Sequence, residues 1–228
     1  MFTESHPGNL TMQTAVIFRG SPRKNGNTNA LTDVVAEQLR SKGWSVREFE
    51  LYEMHIEPCL ACRQCQQDWN TVSCAREDDM ALIFDAVERS QLLILATPVY
   101  SWYCTPPMKA MLDRLVYAMN MYYGVGEQQS GGDPDGTAGV EDRRSQDRRP
   151  QRGPSFWQGK RMALITTCGY PPEKGADLLE EGIRRYCKHS QLRYEGMLCA
   201  RHMGYDTVFM DEEKQRLACA FAGKLISE

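Results

Sequence analysis

TAVIFRGSPRKNGNTNAL, residues Thr14–Leu31, sets the reading of the chain. A short apolar run stops abruptly at Gly20, Ser21, Pro22 and Arg23, and a helix-period apolar pattern resumes from Thr28. Strand, tight loop and helix in that order form the opening unit of an alternating α/β chain.

The alternation continues downstream. Strands are expected at Thr14–Arg19, Ser45–Leu51, Gln91–Thr97, Arg161–Thr167 and Tyr194–Arg201. The intervening helices are expected at Thr28–Lys42, Asp78–Ser90, Pro107–Tyr122, Asp177–Ser190 and Asp211–Ile226. Gly43 in KGW marks a helix end, and Asp78 and Asp79 in REDDM suit the positive end of a helix dipole. The pattern implies an α/β fold, a parallel sheet with helices on both faces, in one domain spanning 1–228.

Composition excludes several function classes. The chain has 228 residues, of which 42% are hydrophobic, enough for one sizeable core. A formal net charge of -3 gives no basic excess for nucleic acid or an anionic membrane. Small molecules and other proteins are the expected partners. The N-terminal MFTESHPGNLTMQ lacks the basic flank and apolar core of a signal peptide, so the expected location is the cytoplasm. In that compartment the nine cysteines are thiols, and close spacing among them points to metal or redox chemistry. His6, His55, His189 and His202 show no metal-ligand spacing.

Two segments interrupt the alternation. Residues 124–154 are rich in Gly, Asp, Gln and Arg and nearly free of large apolar side chains, which implies a flexible insertion. A lid or partner contact through Arg143, Arg144, Arg148, Arg149 and Arg152 is the alternative, diluted by Glu141, Asp142 and Asp147. The other segment, residues 55–76, is dense in cysteine. Cys59, Cys62, Cys65 and Cys74 read C-x2-C-x2-C-x8-C. Three thiolates at three-residue steps with a fourth returning from a loop can wrap a [4Fe-4S] cluster. Zinc sites favour separated C-x-x-C pairs, and packed thiols without metal are the third reading.

Ligands of open parallel sheets bind beyond the carboxyl ends of the strands. After the first expected strand, GSPRKNGNT supplies two glycines, the polar side chains of Ser21, Asn27 and Thr28, the charge of Arg23 and the amides of a helix N-terminus. These suit a phosphate. The loop is neither a P-loop nor a G-x-G-x-x-G fingerprint, so a monophosphate held by hydrogen bonds is expected, as in flavin mononucleotide. A plain N-capped turn is the alternative. After the third strand, TPVYSWYCTPPMKAMLDR provides an aromatic loop suited to a flat ring system, and TTCGYPPEKG after the fourth adds Gly169 and Tyr170. Cys104 and Cys168 fall in these two loops with no C-x-x-C partner, while Cys187, Cys199 and Cys219 read as buried small apolar residues.

GSPRKNGNT, TPVYSWYCTPPMKAMLDR and the cysteine segment between them resemble the iron-sulfur flavoproteins and the NAD(P)H-dependent FMN reductases of the flavodoxin-like superfamily. The resemblance implies a three-layer sandwich with sheet order 2-1-3-4-5 and FMN at the switch point. It implies that Ser21, Arg23, Asn27 and Thr28 hold the FMN phosphate. Pro98, Val99, Tyr100 and Trp102 would line the isoalloxazine, and Thr167, Gly169 and Tyr170 would close its other edge. It further implies an oxidoreductase using NAD(P)H, or a ferredoxin-like donor through a cluster, to reduce a small-molecule or protein acceptor, as a homodimer or homotetramer. The flavin would do the chemistry, so no catalytic side chain is expected. A non-enzymatic flavodoxin-like electron carrier is the alternative.

Overall fold

The computed structural model describes residues 12–68, 70–122, 152–203 and 208–227. Five parallel strands form the central sheet: β1 (Thr14–Arg19), β2 (Ser45–Glu50), β3 (Leu92–Pro98), and, after a short hairpin pair described below, β6 (Arg161–Cys168) and β7 (Arg193–Arg201). Their spatial order is β2-β1-β3-β6-β7, which is the expected 2-1-3-4-5 of a flavodoxin-like fold. The inner strands TAVIFR, LLILATP and RMALITTC are buried almost throughout, as strands covered on both faces must be. The edge strand β2, SVREFE, carries charge instead.

Helices cover both faces. α1 (Asn27–Ser41) buries Leu31, Val35, Ala36 and Leu39 against one side of the sheet, beside Ala218, Ala222 and Leu225 of α6 (Glu212–Ser227). The other side is packed by α2 (Met80–Arg89), α3 (Pro106–Ala118) and α5 (Asp177–Ser190), through Ile83, Met111, Leu115 and Ile183 among others. A single turn, α4 (Pro172–Gly175), follows β6. No described helix is long and apolar enough to cross a membrane.

The helix expected to reach Tyr122 stops at Ala118. Asn120 turns its side-chain amide back to the Val116 carbonyl at 2.8 Å and to Ser190 Oγ at 3.2 Å, so the chain leaves the helix there. Asn120–Tyr122 then forms β4, antiparallel to β5 (Arg152–Ser155). The expected insertion 124–154 is thus entered and left through a two-stranded ribbon, and its last three residues belong to a strand rather than a flexible segment. Its remainder, with Arg143, Arg144, Arg148 and Arg149, lies outside the described residues. α2 also starts two residues later than expected, because Asp78 and Asp79 are engaged in anchoring the cysteine loop.

Candidate functional site

The sheet order reverses between β1 and β3, where α1 departs over one face and α3 over the other. That crevice holds the first loop. Gly20 donates its amide to Ala96 at 2.7 Å and accepts the Thr105 hydroxyl at 2.7 Å, tying the end of β1 to β3 and to the start of α3. A Cβ on Gly20 would lie 2.9 Å from Thr105 Oγ1, so only glycine allows this approach. Ser21 folds the loop onto itself: its Oγ takes the Arg23 amide and meets the Arg23 carbonyl, both at 3.2 Å. Asn29 reaches back from α1 to the carbonyls of Arg23 and Lys24, at 3.2 and 3.0 Å.

These bonds leave the start of α1 available. Gly26 occupies the N-cap and supplies no side-chain cap, and the first turn carries no acidic residue. A Cβ at Gly26 would press on Arg23 Cβ and its carbonyl at 3.0 Å. The amides of Asn27, Thr28 and Asn29 therefore open a helix whose positive end lacks a side-chain acceptor, which fits an anion such as a phosphate. Arg23 is exposed above them, Asn27 is half-buried, and Thr28 is buried.

The second and third loops close on the first. Thr28 Oγ1 lies 2.7 Å from Thr167 Oγ1, joining α1 to the end of β6. Val99 donates its amide to the Thr167 carbonyl at 2.9 Å, and Pro98 is in register with Thr167. Beyond Val99, Tyr100 and Tyr103 exchange both backbone hydrogen bonds at 3.0 Å across Ser101 and Trp102, which hold φ of 50° and 66°. Two consecutive left-handed residues make a tight reversing turn at a conformational cost of about 1–2 kcal/mol each, and such strain gathers at functional sites. The turn holds the Trp102 ring against Tyr170, 6.3 Å between centroids and 17° from parallel, with its indole N–H on the Lys174 carbonyl at 3.2 Å.

Val99, Trp102, Gly169 and Tyr170 share the wall of a cavity of about 330 Å³ with Ser101, Cys168 and Gly175. Tyr100 stands exposed on the flank of the turn, outside that wall. Apolar ring faces with backbone groups along the edges suit a planar heteroaromatic ligand. Cys104 is inert by contrast, since burial pushes its thiol up to about 11. The sequence reading missed Thr105 and Asn29, whose bonds organise the loop after β1.

The four cysteines of the 55–76 segment meet at a second place. Cys59, Cys62, Cys65 and Cys74 line one cavity of about 140 Å³ together with Arg76, Arg114 and Tyr117. Ala61 and Arg63, between the first three cysteines, hold φ of 53° and 59°, which wraps the loop, and the Ala61 amide points to Cys59 Sγ at 3.4 Å. Burial raises the Cys65 thiol, and Cys74, Cys59 and Cys62 lie close enough to raise it further against the bond from Gln66. Buried Gln66 anchors the loop to the end of α3, donating to the carbonyls of Tyr117 at 2.6 Å and Asn120 at 2.9 Å.

Beneath the loop lies an ion pair that sequence reading did not anticipate. Arg114 and Asp78 bond to each other with side chains only 1% exposed, and Arg114 also donates to the Glu57 carbonyl at 3.2 Å. Arg76 Nε is buried without a protein acceptor at the wall of the cysteine cavity, and the Arg114 guanidinium faces Cys74 there. Cationic donors beside thiols favour their anionic form. Among the described residues, no three Cys, His, Asp or Glu side chains gather tightly enough to hold a metal ion, and Cys59 and Cys62 are exposed.

An iron-sulfur flavoprotein of Archaeoglobus fulgidus is 34% identical over 102 residues, 45% of each chain. One from Methanosarcina thermophila is 31% identical over 98 residues, 42% of this chain and 49% of that one. The matched stretch thus spans about half the length of these relatives. Among solved structures, an FMN-dependent NADH-azoreductase of Bacillus anthracis in complex with FMN superposes with TM-score 0.61 at 12% identity, covering 95% of this chain and 98% of that one. The NAD(P)H:quinone oxidoreductase of Methanothermobacter marburgensis gives 0.59 at 15% identity, covering 92% and 95%. These two show the shared fold. The sequence model described as NADPH-dependent FMN reductase matches residues 12–171, and the chain belongs to that family.

Proposed function

We propose that the chain is an FMN-dependent oxidoreductase that takes electrons from NAD(P)H, or from a ferredoxin-like donor through the cysteine loop, and passes them to a small-molecule or protein acceptor. The observation that carries this reading is the meeting of three strand-end loops at one crevice, fixed by the bond between Thr28 and Thr167. Ser21, Arg23, Asn27 and Thr28 hold the FMN phosphate; Pro98, Val99 and Trp102 line the isoalloxazine, with Tyr100 exposed at its margin; Thr167, Gly169 and Tyr170 close its far edge. Bound FMN supplies hydride and single-electron transfer. The chain's own residues seat the phosphate, fix the ring plane between apolar surfaces, and exclude water from its faces.

Cys59, Cys62, Cys65 and Cys74 hold a [4Fe-4S] cluster, which supplies one-electron transfer, and the guanidinium groups of Arg76 and Arg114 offset its negative charge. Tyr100, Trp102, Tyr103 and Tyr170 are exposed around the flavin crevice, which supports a homodimer or homotetramer that completes the site.

The test is anaerobic purification followed by a visible spectrum, FMN and iron quantitation, and assays of NADH and NADPH oxidation with a quinone acceptor. Equimolar FMN, iron absorbance that bleaches on reduction, and turnover of a reduced nicotinamide are expected. FMN with a stable semiquinone and no nicotinamide oxidation would establish an electron carrier instead. Iron without flavin would overturn the proposal.

A further inference from the structure

One cysteine of the cavity wall has a partner that its sequence neighbourhood does not reveal. β6 and β7 run side by side with Thr166 opposite Cys199, so Cys168 lies two residues beyond that pairing. An even offset puts both side chains on the same face of the sheet. Their sulfurs are 3.7 Å apart, in direct contact. The Cys168 thiol also donates to the Tyr170 carbonyl at 3.1 Å, a bond given up when it ionises, and a Cβ on Gly175 would come within 3.0 Å of the sulfur, so the turn after β6 packs on this thiol. Cys168, itself buried, lines the cavity, and Cys199 is half-buried beside it.

We propose that Cys168 and Cys199 form a redox-active dithiol, with Cys168 the sulfur reached by small hydroperoxides through the cavity and Cys199 the resolving thiol. In the first step the Cys168 thiolate attacks the outer oxygen of the hydroperoxide. The S–O bond forms as the O–O bond breaks, a proton goes to the departing oxygen, and Cys168 becomes a sulfenic acid while water or an alcohol leaves. In the second step the Cys199 sulfur attacks the Cys168 sulfur. The S–S bond forms, the S–O bond breaks, and hydroxide departs as water with the Cys199 proton. Two electrons pass from the two sulfurs to the peroxide oxygens, and a dithiol reductant reverses the change.

Cys168 is assigned the peroxide because it lies on the cavity wall. Contact with Cys199 and the nearby Arg201 guanidinium lower its thiol against burial, and contact with Cys168 and burial raise that of Cys199. Neither cysteine belongs to the C-x2-C-x2-C-x8-C segment; Cys168 lines the cavity proposed above for the flavin ring, so bound FMN should shield it and the flavin-free protein should oxidise faster.

The test is treatment of the purified protein, as isolated and after flavin removal, with equimolar hydrogen peroxide, then alkylation of remaining thiols, tryptic digestion and mass spectrometry. The expected product is Met162–Lys174 linked through a disulfide to Tyr194–Arg201, reversed by dithiothreitol. Cys168→Ser and Cys199→Ser should each abolish the linked pair. Peroxide plus dimedone should label Cys168 in Cys199→Ser, or in Cys199→Ala if the serine variant fails to fold, and should leave Cys199 unlabelled in Cys168→Ser. Recovery of both wild-type peptides as alkylated thiols, or of Cys168 linked to any other cysteine, would overturn the proposal.

Discussion

The hydroxyls of Thr28 and Thr167 lie 2.7 Å apart and buried, although 139 residues separate them. One opens α1 and the other ends β6, so this bond sets the distance between the phosphate loop and the far wall of the ring cavity. Thr28→Val keeps the shape but leaves the Thr167 hydroxyl without that partner, at a cost of about 1–3 kcal/mol. Urea denaturation should register the loss, and FMN affinity should fall by about tenfold.

Gly20 makes the corresponding close approach between β1 and α3. In Gly20→Ala the new methyl meets Thr105 Oγ1 at 2.9 Å and Met108 Cε at 3.1 Å. Methionine can yield, but Thr105 is held by its bond to the Gly20 carbonyl. The variant should lose about 1–3 kcal/mol in a denaturation titration and retain less flavin on purification.

Asp78 and Arg114 predict the acid limb of stability. Burial alone would raise the Asp78 carboxyl, but the Arg114 guanidinium and the amides of Glu57 and Met80 hold it below its ordinary value. A carboxyl lowered on folding stabilises fully above its unfolded pKa of about 3.9, and that contribution disappears as pH falls through the lower folded value. Denaturation midpoints should therefore drop below about pH 4, and Asp78→Asn should flatten that limb. Asp78→Ala should cost about 3–5 kcal/mol at neutral pH by leaving Arg114 buried without its counter-charge.

The inner sheet was legible because strands buried on both faces write continuous apolar runs, as LLILATP does. The strand-end loops were legible because their glycines and aromatics stand out against those runs. The ribbon of β4 and β5 was hidden, since each strand is short and its partner lies across a polar stretch. Arg114 left one trace, a charge among Met111, Leu112, Leu115 and Ala118 of an otherwise apolar helix face. Cys199 left none, because its partner sits on a neighbouring strand and only the sheet register brings the sulfurs together.

The central claim is that the start of α1 holds the FMN phosphate. The most direct measurement is a fluorescence-quenching titration of flavin-free protein with FMN and, separately, with riboflavin, which lacks the phosphate. Two charge-assisted hydrogen bonds of about 1.5–3 kcal/mol each predict FMN binding at least about 100-fold tighter than riboflavin. The ratio should fall at least about tenfold in Arg23→Ala/Thr28→Ala, which leaves the α1 amides in place. Equal affinity for both ligands in the wild-type chain, or a ratio that survives the double substitution, would contradict the claim.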